Sequence, residues 1–400
     1  MRAIIRQISG PTLEDDMDDR FAAGRVTSGA AEVLGQSGLL GLTLPPKYGG
    51  VGGDYVALST AAEELGRIDL SYQITLTVHL ALTAMSILQW GTDVQRATWL
   101  PELACGRRIA TFGLTEPGAG SDVAALSMRA TPFKDGYLLD GEKSWISGAN
   151  ESTLFLLFAT VDRARRHHGI TAFLVPRESP GLATSPLSGK LGIRAGDTGT
   201  VVCDRVWVPR DNVLGNIGEG FPIALSALNN GLFTVGAGAL GAAVACRELT
   251  IELVTEHRHR APYRRLIDAV IARMISGEER SRGLIAECAR LKNAGRPSAQ
   301  ATSLAKWTAA TAAQAAAESA LAVAYMLGVP AHPAIERHAR NIKGAVIYGG
   351  TSEIHQVMQA SYALGYRDER LTRCPLPSAA VLRGEHDSLA NDRDATSVPN

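Results

Sequence analysis

From residue 109 to about residue 213 the hydrophobic pattern changes period, and that switch limits the folds open to this chain. Upstream, apolar residues recur three and four apart over 21–42, 55–66 and 71–90, the spacing of a helix that buries one face. Pro45-Pro46 and Gly49-Gly50-Val51-Gly52-Gly53 break the first two segments apart. Gly91 closes the third, and Thr92 or Asp93 can cap a helix running towards Leu103. Between 109 and 213, short apolar runs alternate with Gly, Pro and Asp turns. Asp135-Gly136 before Tyr137 signals a hairpin, and 154–160 is apolar throughout, as for a strand covered on both faces. Residues 170–175 and 200–208 read as further strands, and 162–168, rich in Arg and His, as a solvated loop. Helical spacing returns from 221 to 364, including 225–254 (Ala- and Gly-rich), 266–291 and the Ala-rich 307–327. Gly328, Pro330 and Pro333 end the last of these, and short helices over 336–346 and 352–364 flank Gly349-Gly350. The expectation is a multidomain α+β chain with a β-domain set between helical regions: 1–110, 111–215 and 216–370, then a mostly disordered polar tail over 371–400.

Charge and cysteine usage exclude several functions. Lys plus Arg and Asp plus Glu are 40 each, so the net charge is zero, which argues against a nucleic-acid binder driven by overall charge. The 5 cysteines form no CxxC pair, so neither a zinc site nor a disulfide framework is expected. Residues 1–19 lack the apolar core of a signal peptide, and 307–327 carries Gln314 and Glu318 and reads as a buried helix rather than a membrane span. A cytoplasmic protein is expected, and His79, in an apolar context, reads as a packed core histidine.

The stretch most able to carry chemistry is Leu114-Thr115-Glu116-Pro117-Gly118-Ala119-Gly120-Ser121-Asp122. Pro117 stops a continuing strand because its ring removes a backbone donor. Gly118 and Gly120 allow positive φ and close approach of bare backbone to a ligand. Thr115 and Ser121 bracket the turn with hydroxyls, and successive N–H groups in such a turn can form an anion-binding concavity.

Four further motifs follow in order: Gly141-Glu142-Lys143-Ser144-Trp145-Ile146-Ser147-Gly148, Lys190-Leu191-Gly192-Ile193-Arg194, Asp204-Arg205-Val206-Trp207-Val208-Pro209, and Gly349-Gly350-Thr351-Ser352-Glu353-Ile354. Over residues 20–370 this order resembles the acyl-CoA dehydrogenase family. The resemblance implies an N-terminal helical domain, a central β-domain and a C-terminal four-helix bundle, with FAD between them, in a homodimer or homotetramer. It implies that Leu114, Thr115, Gly120 and Ser121 meet the flavin, with Ser121 also near the thioester. Trp145, Ile146 and Ser147 back the ring, and Thr351 and Glu353 lie on the cofactor side. An isoalloxazine needs a flat apolar wall and a few placed donors, which a Trp-Ile-Ser strand end supplies. Arg258 occupies the position of an arginine on the FAD pyrophosphate, a role suited to its forked donors.

The chain departs from the pattern where the reaction needs a base. The family desaturates an acyl thioester: a carboxylate removes the α-proton while hydride leaves the β-carbon, and the thioester carbonyl accepts hydrogen bonds as it becomes enolate-like. The usual glutamate position is Gly349 here, in Tyr348-Gly349-Gly350-Thr351, and the alternative on a bundle helix is Gly231, followed by Leu232. Gly349 keeps its N–H for the thioester carbonyl, so Gly349 and Gly350 remain substrate-binding candidates. Glu353, at a spacing able to share a helix face with position 349, and His355 are the neighbouring titratable groups. On the adenosine side, Ala261-Pro262, Asp268 and residues 322–326 lack the family's pattern. The readings are an acyl-thioester flavoenzyme using coenzyme A or a carrier protein, with its base from elsewhere or from a paralogous subunit; a flavin-dependent monooxygenase; or a non-redox thioester protein.

Overall fold

The computed structural model describes residues 30–257, 263–369 and 373–385. Its first part is helical: α1 (Ala30–Gln36), α2 (Tyr55–Ile68), α3 (Leu70–Leu76), α4 (Met85–Trp90) and α5 (Asp93–Ala104). Asp54 caps α2 by accepting from the Ala57 N–H, and Asp69 caps α3 by accepting from Ser71. Thr92 caps α5, with Gln95 reaching back to complete a capping box. The helix expected over 71–90 is continuous, but Thr77–Ala84 is a π-helical stretch that widens it. His79 lies in that stretch, fully buried. Its Nδ1 accepts from the Ala110 N–H at 3.1 Å, so Nε2 carries the proton and faces the Leu103 carbonyl at 3.1 Å. It is the core histidine its setting suggested, and burial lowers its pKa to about 4.

Eight strands follow: β1 (Ala110–Gly113), β2 (Arg129–Phe133), β3 (Gly136–Ser147), β4 (Leu154–Thr160), β5 (Ile170–Pro176), β6 (Leu182–Pro186), β7 (Thr198–Pro209) and β8 (Val213–Leu214). They form one sheet in the order β6-β7-β3-β2-β4-β5-β8, with β1 paired parallel to β4. The β2–β3 hairpin closes over Lys134-Asp135, and Gly136 pairs with Phe133. Every residue of β4 is buried, because its two faces serve different cores. Leu154, Leu156 and Phe158 join the helices, while Phe155, Leu157 and Ala159 pack with Phe173, Val201 and Val206 on the other side.

The C-terminal part contains α6 (Gly220–Glu256), α7 (Arg264–Asn293), α8 (Ala299–Leu327), α9 (Pro333–Ala345), α10 (Ser352–Ala363) and α11 (Ala379–Arg383). The helices expected over 225–254 are one helix, α6, of 37 residues, about 55 Å long at helical rise. Its small residues let α2 approach to backbone contact. A Cβ on Gly66 would lie 2.2 Å from the Gly238 carbonyl oxygen, and one on Gly241 would lie 1.9 Å from that of Glu63. Leu70–Trp90 and Gly220–Glu256 are by length and composition apolar enough to cross a membrane, but the most apolar stretch of each is mostly buried inside the protein, as in a core helix.

The polar tail also departs from expectation. Residues 373–385 are ordered against the N-terminal helices: Tyr55 OH donates to the Pro377 carbonyl at 3.0 Å, and Leu382 is fully buried. Three buried anchors, Ala379, Val381 and Leu382, outweigh the polar composition that suggested disorder. Residues 386–400 lie outside the described residues.

Candidate functional site

The site is built first from the sheet. After β1 the chain makes a tight turn in which the Glu116 and Ala119 backbones exchange hydrogen bonds of 3.0 and 3.1 Å. Pro117 and Gly118 form its tip. Gly118 and Gly120 both face open space, with nothing within 4 Å of an added Cβ, and neither takes positive φ. They therefore leave room beside the backbone rather than permit a left-handed turn, a correction to their sequence reading.

The turn is held from below by an ion pair. Glu116 and Lys143 are almost wholly buried, and Lys143 Nζ donates to Glu116 Oε1 at 2.7 Å and to the Leu114 carbonyl at 3.2 Å. Glu116 also accepts from the Ser127 hydroxyl and the N–H groups of Ser127 and Met128. Burial pushes the Glu116 carboxyl up, but the Lys143 charge and these donors outweigh it and hold the group below the usual carboxylate range. Sequence reasoning gave neither residue a role. Lys143 sits among Asp140, Glu142 and Ser144 in β3, so nothing local in the sequence marks it as buried.

Just beyond Lys143, the register of β3 on β7 shifts between Lys143 and Ile146. This bulge turns Trp145 out, at φ 60° and 63% exposed, while Ile146 is buried and Ser147 half-buried. A left-handed tryptophan is strained, and such strain concentrates where a side chain is aimed for use. The Ser144 N–H donates to the Thr115 carbonyl at 2.9 Å, so the bulge and the Leu114–Thr115 segment lie side by side. Past the strand, Asp197 accepts from the N–H groups of Asn150 and Glu151 and from the Asn150 amide, at 2.6–3.1 Å, fixing the turn.

The bundle supplies the other wall. Gly349 and Gly350 have φ of 65° and 91°, and Thr351 caps α10 by accepting from the Ile354 N–H. Because Gly349 is not helical, Glu353 does not share a helix face with it, contrary to the spacing argument. Glu353 stands at the exposed first turn of α10, its carboxyl lowered by its own N–H and the Thr351 hydroxyl. His355 is buried, with Nδ1 2.9 Å from Ser303 Oγ. The loop at 190–198 joins sheet and bundle. Lys190 Nζ donates to the carbonyls of Ile193 and Gly196, and the Ile193 N–H donates to Asn341 Oδ1 on α9.

Both base positions are backed by leucine. A Cβ at Gly349 would lie 3.1 Å from Leu232 Cδ2, and one at Gly231 would lie 2.5 Å from Leu82 Cδ2. Leu232 and Leu82 are buried, so the atom nearest an added side chain at each position belongs to an aliphatic group. Tyr348 OH is buried without a hydrogen-bond partner among the described residues, its pKa raised by burial and by Asp69. Arg258 lies outside the described residues. Among the described residues no cluster of three or more His, Cys, Asp or Glu could hold a metal ion.

The residues present fit a flat ring at the sheet. Open space above two glycines, a projecting tryptophan and adjacent Thr and Ser hydroxyls provide room, an apolar plane and donors.

Comparison with known proteins identifies the family. The acyl-CoA dehydrogenase N-terminal, middle and C-terminal domains match residues 1–107, 111–206 and 218–363. The short-chain specific mitochondrial acyl-CoA dehydrogenase of Rattus norvegicus is 35% identical over 335 residues, 83% of this chain and 81% of its own. Butyryl-CoA dehydrogenase from Megasphaera elsdenii superposes with a TM-score of 0.85 at 29% identity, covering 91% of this chain and 97% of its own. A glutaryl-CoA dehydrogenase from Mycobacterium smegmatis, solved in complex with FADH2, superposes at 0.81 with 29% identity, covering 92% and 95%. With all three domains matched in order, the chain belongs to the acyl-CoA dehydrogenase family, whose cofactor is FAD.

Proposed function

We propose that this protein is a flavin-dependent dehydrogenase of an acyl thioester, carried on coenzyme A or a carrier protein, with its proton acceptor outside the two usual positions. The observation that carries the reading is the ring wall: the Leu114–Ser121 loop and the Trp145 bulge, locked together over the buried Lys143–Glu116 pair. Leu114, Thr115, Gly120, Ser121, Trp145, Ile146 and Ser147 hold the isoalloxazine, and Thr351 and Glu353 flank it from α10. Arg258 serves the pyrophosphate. FAD, when bound, supplies the two-electron acceptor.

The chain's own part is to polarise and orient. The Gly349 N–H donates to the thioester carbonyl oxygen, stabilising the charge that gathers there as the α C–H bond breaks. That proton passes to a base from another part of the chain or from a paralogous subunit. The hydride leaves the β-carbon, so one C–H bond is broken at each carbon and an enoyl thioester results. Loading the protein with FAD, adding acyl thioesters of varied chain and a supplied electron acceptor, and analysing products by mass tests this. Enoyl thioester is expected; an unaltered thioester across the panel, with FAD bound, counts against dehydrogenation.

The leucines give a second reading specific support. Leu82 and Leu232 make the α-carbon side apolar, which suits a protein that binds a thioester without redox chemistry. Enoyl product formed at the expense of bound FAD eliminates it. For assembly we propose a homo-oligomer, supported by the exposed Tyr325, Val357, Leu364 and Tyr366 on the helical side; light scattering returning one chain mass contradicts it.

A further inference from the structure

Two consecutive left-handed glycines make Gly349-Gly350 the least self-supporting part of the site. Glycine gives up more conformational freedom on ordering than any other residue, so this turn needs an outside restraint to aim an N–H at a substrate. The restraint comes from α8. Lys306, with its residue 1% exposed, donates from Nζ to the Gly350 carbonyl at 2.7 Å. Ser303, one helical turn earlier, fixes His355 Nδ1. The other ring nitrogen, Nε2, is thereby directed at the turn, 3.1 Å from where a Cβ of Gly350 would stand. A side chain on Gly350 would strike this ring, so the turn rests between an ammonium on its carbonyl and an imidazole on its face.

Lys306 is costly to bury. Among the described residues no carboxylate lies within ion-pair distance of it; burial lowers its pKa to about 7, opposed only in part by the Glu353 charge farther off on α10. A buried amine spent on a single backbone carbonyl stabilises a fold poorly, since an apolar residue of similar volume packs better. It is well suited to holding one peptide in one orientation.

We propose that Lys306 is the positioning residue of the thioester turn: by gripping the Gly350 carbonyl it presents the Gly349 N–H to the thioester oxygen. This rests on the thioester reading above. Lys306 acts through the turn and touches no reacting atom. Loss of its grip therefore weakens the hold on the carbonyl while leaving the ring wall on the sheet unchanged.

The test uses the FAD-loaded full chain of the wild type, Lys306→Met and Lys306→Arg, with butyryl-CoA carrying a 13C-labelled thioester carbonyl. Affinity is read from the perturbation of flavin absorbance, and carbonyl polarisation from infrared difference spectra. For Lys306→Met we expect FAD content equal to wild type, thioester binding weakened about tenfold, about 1.4 kcal/mol, and loss of the downshift of the carbonyl stretch. Lys306→Arg, which keeps a charged donor, is expected to restore the downshift. Lys306→Gln keeps a neutral donor and replaces the Met variant if that fails to fold by circular dichroism; partial loss of the downshift is then expected. A folded Met or Gln variant that binds and polarises the thioester like wild type overturns the positioning role while leaving the thioester reading intact. A wild type that holds FAD but binds no thioester overturns that reading and the proposal with it.

Discussion

Lys143 and Glu116 stand 27 positions apart, yet each is the other's principal charge partner in the core. Removing one charge leaves its partner buried and uncompensated, which typically costs about 3–5 kcal/mol. Lys143→Met is therefore expected to lower stability by that order in urea unfolding, and Lys143→Met with Glu116→Gln to recover part of it. A double variant no more stable than the single one contradicts the pairing. The Glu116 carboxyl has a lowered folded pKa, so its contribution is present above the unfolded carboxylate value and is lost as pH falls through the folded one. Gly349 offers a second residue test. Gly349→Glu places a side chain at φ 65° and 3.1 Å from Leu232 Cδ2, at a backbone cost of about 1–2 kcal/mol. It is expected to fold with a reduced melting temperature and to accelerate enoyl formation from straight-chain thioesters. A folded, FAD-bound variant no faster than wild type on the whole panel shows that the site has diverged beyond its base. Neither the ion pair nor the leucines could be read in the sequence, because both depend on which distant segments the fold brings together. Gly349 and Gly231 could be read, because a base is a residue type at a motif position.

Elements locate these residues, and glycines set how closely the elements meet. Gly241 lies where α6 crosses the backbone of α2, so Gly241→Ala forces the two helices apart. Overpacking of this kind costs about 1–3 kcal/mol, and more when the obstructing atom is backbone. Gly118→Ala is the contrasting case, since its Cβ meets nothing within 4 Å and its φ is not positive. It is expected to change stability by less than about 0.5 kcal/mol while weakening FAD affinity, measured by melting and by flavin titration. Unchanged affinity removes the Gly118 face of the loop from the cofactor wall. At this scale the sequence was informative, because burial on one face or two writes a period of 3.6 or 2 into the chain. It failed where a long-range contact overrode local composition. Polar residues at 375–385 read as a loose tail, but Tyr55 and the core around Leu382 hold them. The Ala- and Gly-rich 225–254 segment read as helical, but its continuity as one helix of 37 residues did not show, because close packing against α2 rather than local sequence sustains it.

Across the whole molecule, Asp69 joins the parts. It caps α3, lies 3.0 Å from Arg337 Nε and accepts from Asn341, which in turn accepts from Ile193 of the sheet loop. Three buried histidines add a pH dependence. Burial lowers His79 and His355 to about 4 and His338 to about 3, assisted by the Lys306 charge for His355 and the Arg337 charge for His338. All three are lowered below the unfolded value of about 6.5, so the unfolded chain binds more protons in acid. Stability is therefore expected to fall as pH drops from about 6.5 towards 4, seen as a falling urea midpoint. A midpoint constant across that window contradicts neutral buried histidines. In the proposed function a flavin lies against the sheet, within reach of a thioester held at the bundle. The most direct measurement is an anaerobic titration of the FAD-loaded protein with acyl thioesters, followed by absorbance. The account predicts loss of the oxidised-flavin band in proportion to thioester added; a band that shifts on binding yet keeps its intensity for every thioester contradicts it.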